Sequence, residues 1–137
     1  MTQPSDARKR TLALQARALR FSTGVSSLCP KKFSDLPSSV VWGQLVRAAD
    51  SVSNNLLEAD DASSTADFVH KMKLTLRETK ESKLCLAKLR LGSLDGSGQS
   101  GDLEREAGEL SAIFAAIVIN VSKRLERQGN KRGANQT

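Results

Sequence analysis

Between Leu103 and Leu125 one apolar residue recurs at nearly every helical turn: Leu103, Ala107, Leu110, Phe114, Ile117, Val121 and Leu125. The steps are four, three, four, three, four and four, which places all seven on one stripe of a helix. A stripe six turns long cannot stay solvated, so the chain must supply other helices to cover it. This feature predicts a helix over about 102–127. Val118 and Ile119 add apolar surface beside the stripe, more than a single neighbour covers, and this hints at packing between copies of the chain.

The segment Gln44 to Glu58 carries a second such stripe. Val41, Leu45, Ala48, Val52 and Leu56, with Ala49 alongside, fall on one side, and the polar residues Arg47, Ser51, Asn54, Asn55 and Glu58 run beside it. Pro37 and the serines after it fit the start rules, with a serine as cap, for a helix over about 39–58. A third helix over about 65–91 opens on Ser63 or Ser64, with Asp67 at the capping-box offset from Ser64. Phe68, Met72, Leu76, Thr79, Leu86 and Leu89 lie near one face of it. Thr75, Thr79 and Ser82 share that seam, where small hydroxyl residues permit close helix approach or face a partner subunit. A first helix over about 6–28 takes Leu12, Ala16, Leu19, Val25 and Leu28 as its apolar face and turns Arg8, Arg17 and Arg20 outward. Pro30 stops it, and Phe33 and Leu36 are expected to plug the bundle end.

With 137 residues the chain has one core, and 4% aromatic residues with no Tyr leans away from sandwiches and barrels. Short connections between the first three helices favour antiparallel neighbours. The expected fold is an all-α, antiparallel, up-down-up-down four-helix bundle over residues 6–128, with a flexible tail at 1–5 and a disordered basic tail at 129–137. Gly92 to Gly101, with four glycines, is expected as a flexible loop. It lacks a GxxxxGK[ST] pattern and no strand precedes it, which argues against a phosphate-binding loop.

The formal net charge is +6 and the isoelectric point about 9.7. That balance suits an anionic partner such as nucleic acid and equally a plain basic surface. Lys73, Arg77, Lys80 and Lys88 fall within roughly 80° of one another on a helix at 100° per residue, and form a stripe able to contact phosphates. Glu78 and Glu81 stand nearby as neutralising partners. In the expected topology Arg8, Lys9 and Arg10 share a pole with Lys123, Arg124, Arg127, Lys131 and Arg132, where Glu58, Asp60, Asp61 and Asp67 offset the charge. With Trp42 and the four Phe assigned to core or plug positions, no aromatics are left for base stacking. Binding would then be led by the phosphate backbone.

Other chemistry has little material. His70, the single histidine, has no nucleophile near it in sequence and reads as a solvated residue. No cofactor or metal is implied: Cys29 and Cys85 lack zinc or redox spacing, and a reduced, cytoplasmic chain is expected. No signal-peptide pattern follows Arg8, Lys9 and Arg10. The run Ile113 to Ile119 is too short to span a bilayer. Paired carboxylates beside an arginine can do acid–base work. The reading of Arg47, Ser51, Asn55, Glu58 and Glu81 is instead a structural polar network that fixes helix register, with no catalytic residues.

Gln44-Leu45, Arg47-Ala48, Ser51-Val52, Asn55 and Glu58, followed by Phe68, resemble the motif QLxRAxxSixxNIxEG of the four helix bundle protein family. Its founding members are encoded by intervening sequences in bacterial 23S ribosomal RNA genes. The resemblance covers about residues 12–125, and Glu81 falls where that family often has a glutamate. Two positions depart from it: Ala59 replaces a glycine, and Arg77-Glu78 replaces a Gly-Ser pair. The resemblance implies a ring-shaped homo-oligomer, commonly a homopentamer. A distant relative is the accessory variability protein of diversity-generating retroelements, a basic pentameric barrel that binds nucleic acid and associates with a reverse transcriptase. From it follow the expected partners: further copies of the chain, nucleic acid with RNA ahead of DNA, and a reverse transcriptase, for which the chain would act as an adaptor.

Overall fold

The computed structural model describes residues 2–135 and contains four helices: α1 (Asp6–Leu28), α2 (Leu36–Asp60), α3 (Thr65–Leu91) and α4 (Ser100–Ala134). Each helix packs against its neighbour in sequence, and α1 closes the bundle against α4. Contacts along the seams run in opposite senses. Arg8 at the start of α1 meets Asp60 at the end of α2, and Gly24 late in α1 meets Leu103 early in α4. The bundle is therefore antiparallel and up-down-up-down, as the short connections predict. No described helix is long and apolar enough to cross a membrane.

The ends follow local chemistry. Ser5 accepts a hydrogen bond from the Arg8 amide and Ser64 one from the Asp67 amide, satisfying donors that a helix start leaves free. Ser5 thus caps α1 rather than fraying with the tail. At α2 the cap is Asp35, which accepts from the Ser38 amide at 2.8 Å, and not the serine expected from the sequence. Pro37 then occupies the first turn, so α2 begins three residues earlier than 39. The basic segment after Arg127 is also different from expectation. It continues as helix to Ala134, with Lys131 and Arg132 placed where a C-terminal dipole favours cations. The last two residues of the expected tail lie outside the described residues.

The core is a single cluster in which all four helices meet. Leu45, Ala49, Val52 and Leu56 of α2 and Leu110 and Phe114 of α4 are buried as their stripes predict. On α3 the buried line is Met72, Thr75, Thr79, Ser82, Leu86 and Leu89. Its three hydroxyls each donate to the carbonyl four residues back, on Lys71, Thr75 and Glu78, so none is left unpaired. All three are fully buried within the bundle and so do not face a partner subunit, which selects the first of the two readings of that seam.

α1 corrects the sequence reading. Its buried face is Ala18, Phe21, Ser22 and Val25, with Leu14 partly buried, while Leu12 and Leu19 are 42% and 58% exposed. Phe33 and Leu36 are exposed rather than plugging the bundle end. Gly24, which costs helix propensity, has a packing reason: a Cβ there would come within 3.2 Å of the Leu103 side chain. On α4, Val118 packs against the core and only Ile119 remains exposed, so the second apolar surface is smaller than expected.

The α3–α4 loop is braced. Asp95 accepts from the amides of Ser97 and Ser100 and from the Ser97 hydroxyl, while Gly98 takes a positive φ of 67° suited to glycine. Burial opposes ionisation of Asp95, but the bonds from Ser100 and Ser97 outweigh it and hold the carboxyl at about 2. Because the folded value lies below that of the unfolded chain, this stabilisation is complete above about pH 4 and is lost as pH falls through about 2. Asp95→Ala is expected to cost about 1–2 kcal/mol at pH 6, allowing for solvent screening, and almost nothing below pH 2. Urea unfolding of both proteins at the two pH values checks it.

Candidate nucleic-acid interface

The basic residues divide into two populations. The first is tied into the seams. Arg8 donates to both carboxylate oxygens of Asp60 at 2.7 Å, and Gln15 donates to the same group at 3.1 Å. These bonds, that from Arg8 foremost, hold the Asp60 carboxyl below its usual range. Arg17 reaches from α1 to α4, where it pairs with Glu106 and, at 3.0 Å, with Glu109. The bond to Glu106 raises its pKa further. Arg90 holds Glu104 through two bonds of 2.9 and 3.0 Å beside an open cleft of about 820 Å³ between α3 and α4. Arg105 pairs with Asp102 within α4.

Arg17→Gln tests the meaning of this first group. It removes a half-buried link between α1 and α4, so it is expected to cost up to about 1 kcal/mol of stability. Because the guanidinium is already occupied, nucleic-acid affinity should change less than twofold, roughly the change expected of a residue outside the contact set. Chemical denaturation and a binding titration on the same preparation give both readings.

The second population has no such partners. Lys73, Arg77, Lys80 and Lys88 are all exposed on the outer face of α3, and none makes an ion pair among the described residues. Of the carboxylates expected to neutralise them, Glu81 is engaged elsewhere and Glu78 feels the charge of Arg77 without forming an ion pair among the described residues. Glu81 faces Arg47 of α2 at 3.8 Å, and Glu78 is half-buried, its carboxyl pushed up first by that burial and then by the adjacent Glu81. Leu84 and Leu91 are exposed within the same stripe, and His70 is exposed at its head. Lys9, Arg10 and Arg20 on α1, and Lys123, Arg124 and Arg127 on α4, are likewise exposed without ion pairs among the described residues.

The polar network of α2 is looser than the sequence suggests. Arg47 and Glu81 do meet across the α2–α3 seam, but at its solvent edge. Glu58 pairs with Lys71 at 3.0 Å instead of with Arg47, which raises the Lys71 pKa. Ser51 and Asn55 are half-buried beside these pairs. Register between α2 and α3 is thus marked by two separate ion pairs, and sequence spacing missed Lys71 as the partner of Glu58.

Among the described residues no group of three or more His, Cys, Asp or Glu is placed to hold a metal ion. Cys29 and Cys85 are both free thiols, each pushed up by burial, and Cys85 lies inside the core. Trp42, Phe21 and Phe114 are buried and Phe68 is half-buried, which leaves Phe33 as the exposed Phe among the described residues.

No family model matches the chain, and no curated protein matches it either. Among solved structures it is similar to a protein with unknown function from the S23 ribosomal protein family of Bacteroides thetaiotaomicron VPI-5482. The two share 22% sequence identity with a TM-score of 0.68, over 79% of this chain and 96% of that one. At that identity the likeness is one of fold: this chain has the four-helix architecture of that S23-family protein, which is also the architecture that the motif in α2 implies.

Proposed function

We propose that the protein is a non-enzymatic, homo-oligomeric scaffold that binds nucleic acid through its phosphate backbone. The observation that carries this reading is the unpaired stripe Lys73, Arg77, Lys80 and Lys88. A bundle that neutralises Arg8, Arg17 and Arg90 in its seams leaves these four cations bare along about 22 Å of helix. Cations in a row without carboxylate partners suit phosphates in a row, and each contact releases counterions. Arg8 and Arg17 take a structural part in this proposal; Lys9, Arg10, Arg20, Lys123, Arg124 and Arg127 extend the contact surface. The paucity of exposed aromatics supports backbone contact over base stacking.

Assembly is part of the same reading. Leu12, Ala16, Leu19 and Leu57 line a groove between α1 and α2, apolar side chains that a second copy of the chain would cover. A ring would multiply weak phosphate contacts into useful avidity. A second reading, an adaptor for a protein such as a reverse transcriptase, is favoured by Leu84 and Leu91 within the basic stripe, which suit a polypeptide better than a phosphate chain.

Light scattering with absorbance at two wavelengths, before and after nuclease and a high-salt wash, tests both. An oligomer that sheds nucleic acid on washing supports the scaffold. A nucleic-acid-free oligomer moves the weight to the adaptor, and a clean monomer contradicts the assembly.

A further inference from the structure

From Glu126 to Gly133 every residue of α4 is exposed, so the helix projects about 12 Å past Leu125, with Gln128 lining a cleft beside the start of α3. Isolated helical ends of this length are marginal, and glycine makes them more so. The arm contains two, Gly129 and Gly133, and neither is there for close packing, since a Cβ at each would meet nothing within 4 Å. A coherent face runs from the last packed turns of α4, where Asn120 and Arg124 border the cleft beside the α2–α3 turn, onto the arm. Asn120, Lys123, Arg124, Arg127, Asn130 and Lys131 fall within roughly 120° at 100° per residue. All six are exposed, the four cations make no ion pair among the described residues, and Glu126 lies off this face.

We infer that this arm binds duplex DNA as a helix seated in the major groove. The inference rests on the nucleic-acid reading above and deepens it by naming the ligand and the binding element. A helix with its side chains is about 10–12 Å across, which matches the roughly 12 Å width of the B-form major groove. The A-form major groove of duplex RNA is too narrow and deep to admit it. The side-chain set points the same way: arginine reads guanine and asparagine reads adenine on the edges displayed in that groove, while the lysines reach flanking phosphates. The groove supplies anionic partners for the exposed cations, and the glycines leave the free arm loosely helical until it binds.

Fluorescence anisotropy on the full chain, with a labelled DNA duplex of about 20 base pairs and the RNA duplex of the same sequence, tests this across a salt series. The arm is clear of the core, so its variants retain the fold. Gly129→Ala with Gly133→Ala stiffens the helix and is expected to tighten DNA binding by roughly threefold to tenfold while leaving RNA unchanged. Arg127→Gln with Lys131→Gln is expected to weaken DNA binding and flatten the log–log salt slope by about 2. Equal affinity for the two duplexes, with no gain from the alanines, overturns groove insertion. Binding that survives the arm variants but is lost with the α3 stripe overturns this inference alone. A wild-type chain that binds neither duplex nor any single strand overturns the nucleic-acid reading itself.

Discussion

Replacing Lys73, Arg77, Lys80 and Lys88 together by glutamine is expected to weaken nucleic-acid binding on the order of 10³-fold at about 0.15 M salt. The size follows from counterion release, close to one monovalent ion per phosphate contact, with four contacts removed at once. These side chains are exposed and make no ion pair among the described residues, so the folded state loses little. The melting midpoint should stay within the shift produced by about 0.5 kcal/mol, or rise slightly as like-charge repulsion along α3 is relieved. Anisotropy with a labelled oligonucleotide and a thermal melt of the same variant separate the two effects. A large loss of both affinity and stability would mean that the stripe is structural.

Phe114→Ala should be among the most damaging single changes to the fold, at about 3–5 kcal/mol. Phe114 is fully buried in the cluster that all four helices share, where the missing ring leaves a cavity that the rigid α2 and α3 stripes cannot collapse into. Since domains of this kind are stable by only about 5–15 kcal/mol, the loss removes roughly a fifth of the margin or more. Urea unfolding should show a lower midpoint with an unchanged slope. Phe114→Leu retains most of the volume and should cost about half as much or less. Equal costs for the two substitutions would place the energy in something other than the cavity.

The α2 and α4 stripes were legible because a large apolar residue marks almost every turn, so only one face can be buried. On α1 two faces compete. Leu12, Ala16 and Leu19 form one apolar strip, whereas Ala18, Phe21 and Val25, flanked by the partly buried Leu14 and Leu28, form the face that packs into the bundle. Joining Val25 to the Leu12 and Leu19 strip leaves out Phe21, and tertiary fit decides between two such near-equal patterns. On α3 the hydroxyl seam reads as ambiguous because Thr and Ser can be apolar fillers or polar surface. Their bonds to the carbonyls one turn back, visible only in the fold, resolve it.

The interface was half legible for a related reason. Helical spacing places Lys73, Arg77, Lys80 and Lys88 together, because neighbours three and four residues apart share a face. Spacing says nothing of partners distant along the chain. Arg17 looks as free as Lys73 in the sequence, yet its carboxylate lies 89 residues away on Glu106, and the partner of Arg8 lies 52 residues away on Asp60. The α4 arm was misread on composition. Gly129, Gly133 and the charges around them resemble a solvated tail, but a helix already propagating from a packed segment adds residues more cheaply than it nucleates.

The most direct test of the account is the salt dependence of wild-type affinity for a nonspecific oligonucleotide. Bare cations meeting phosphates require a straight log–log plot with a slope of about −4 or steeper. A flat plot, or no binding at low salt, would contradict a phosphate-led interface and leave the stripe on α3 to a protein partner.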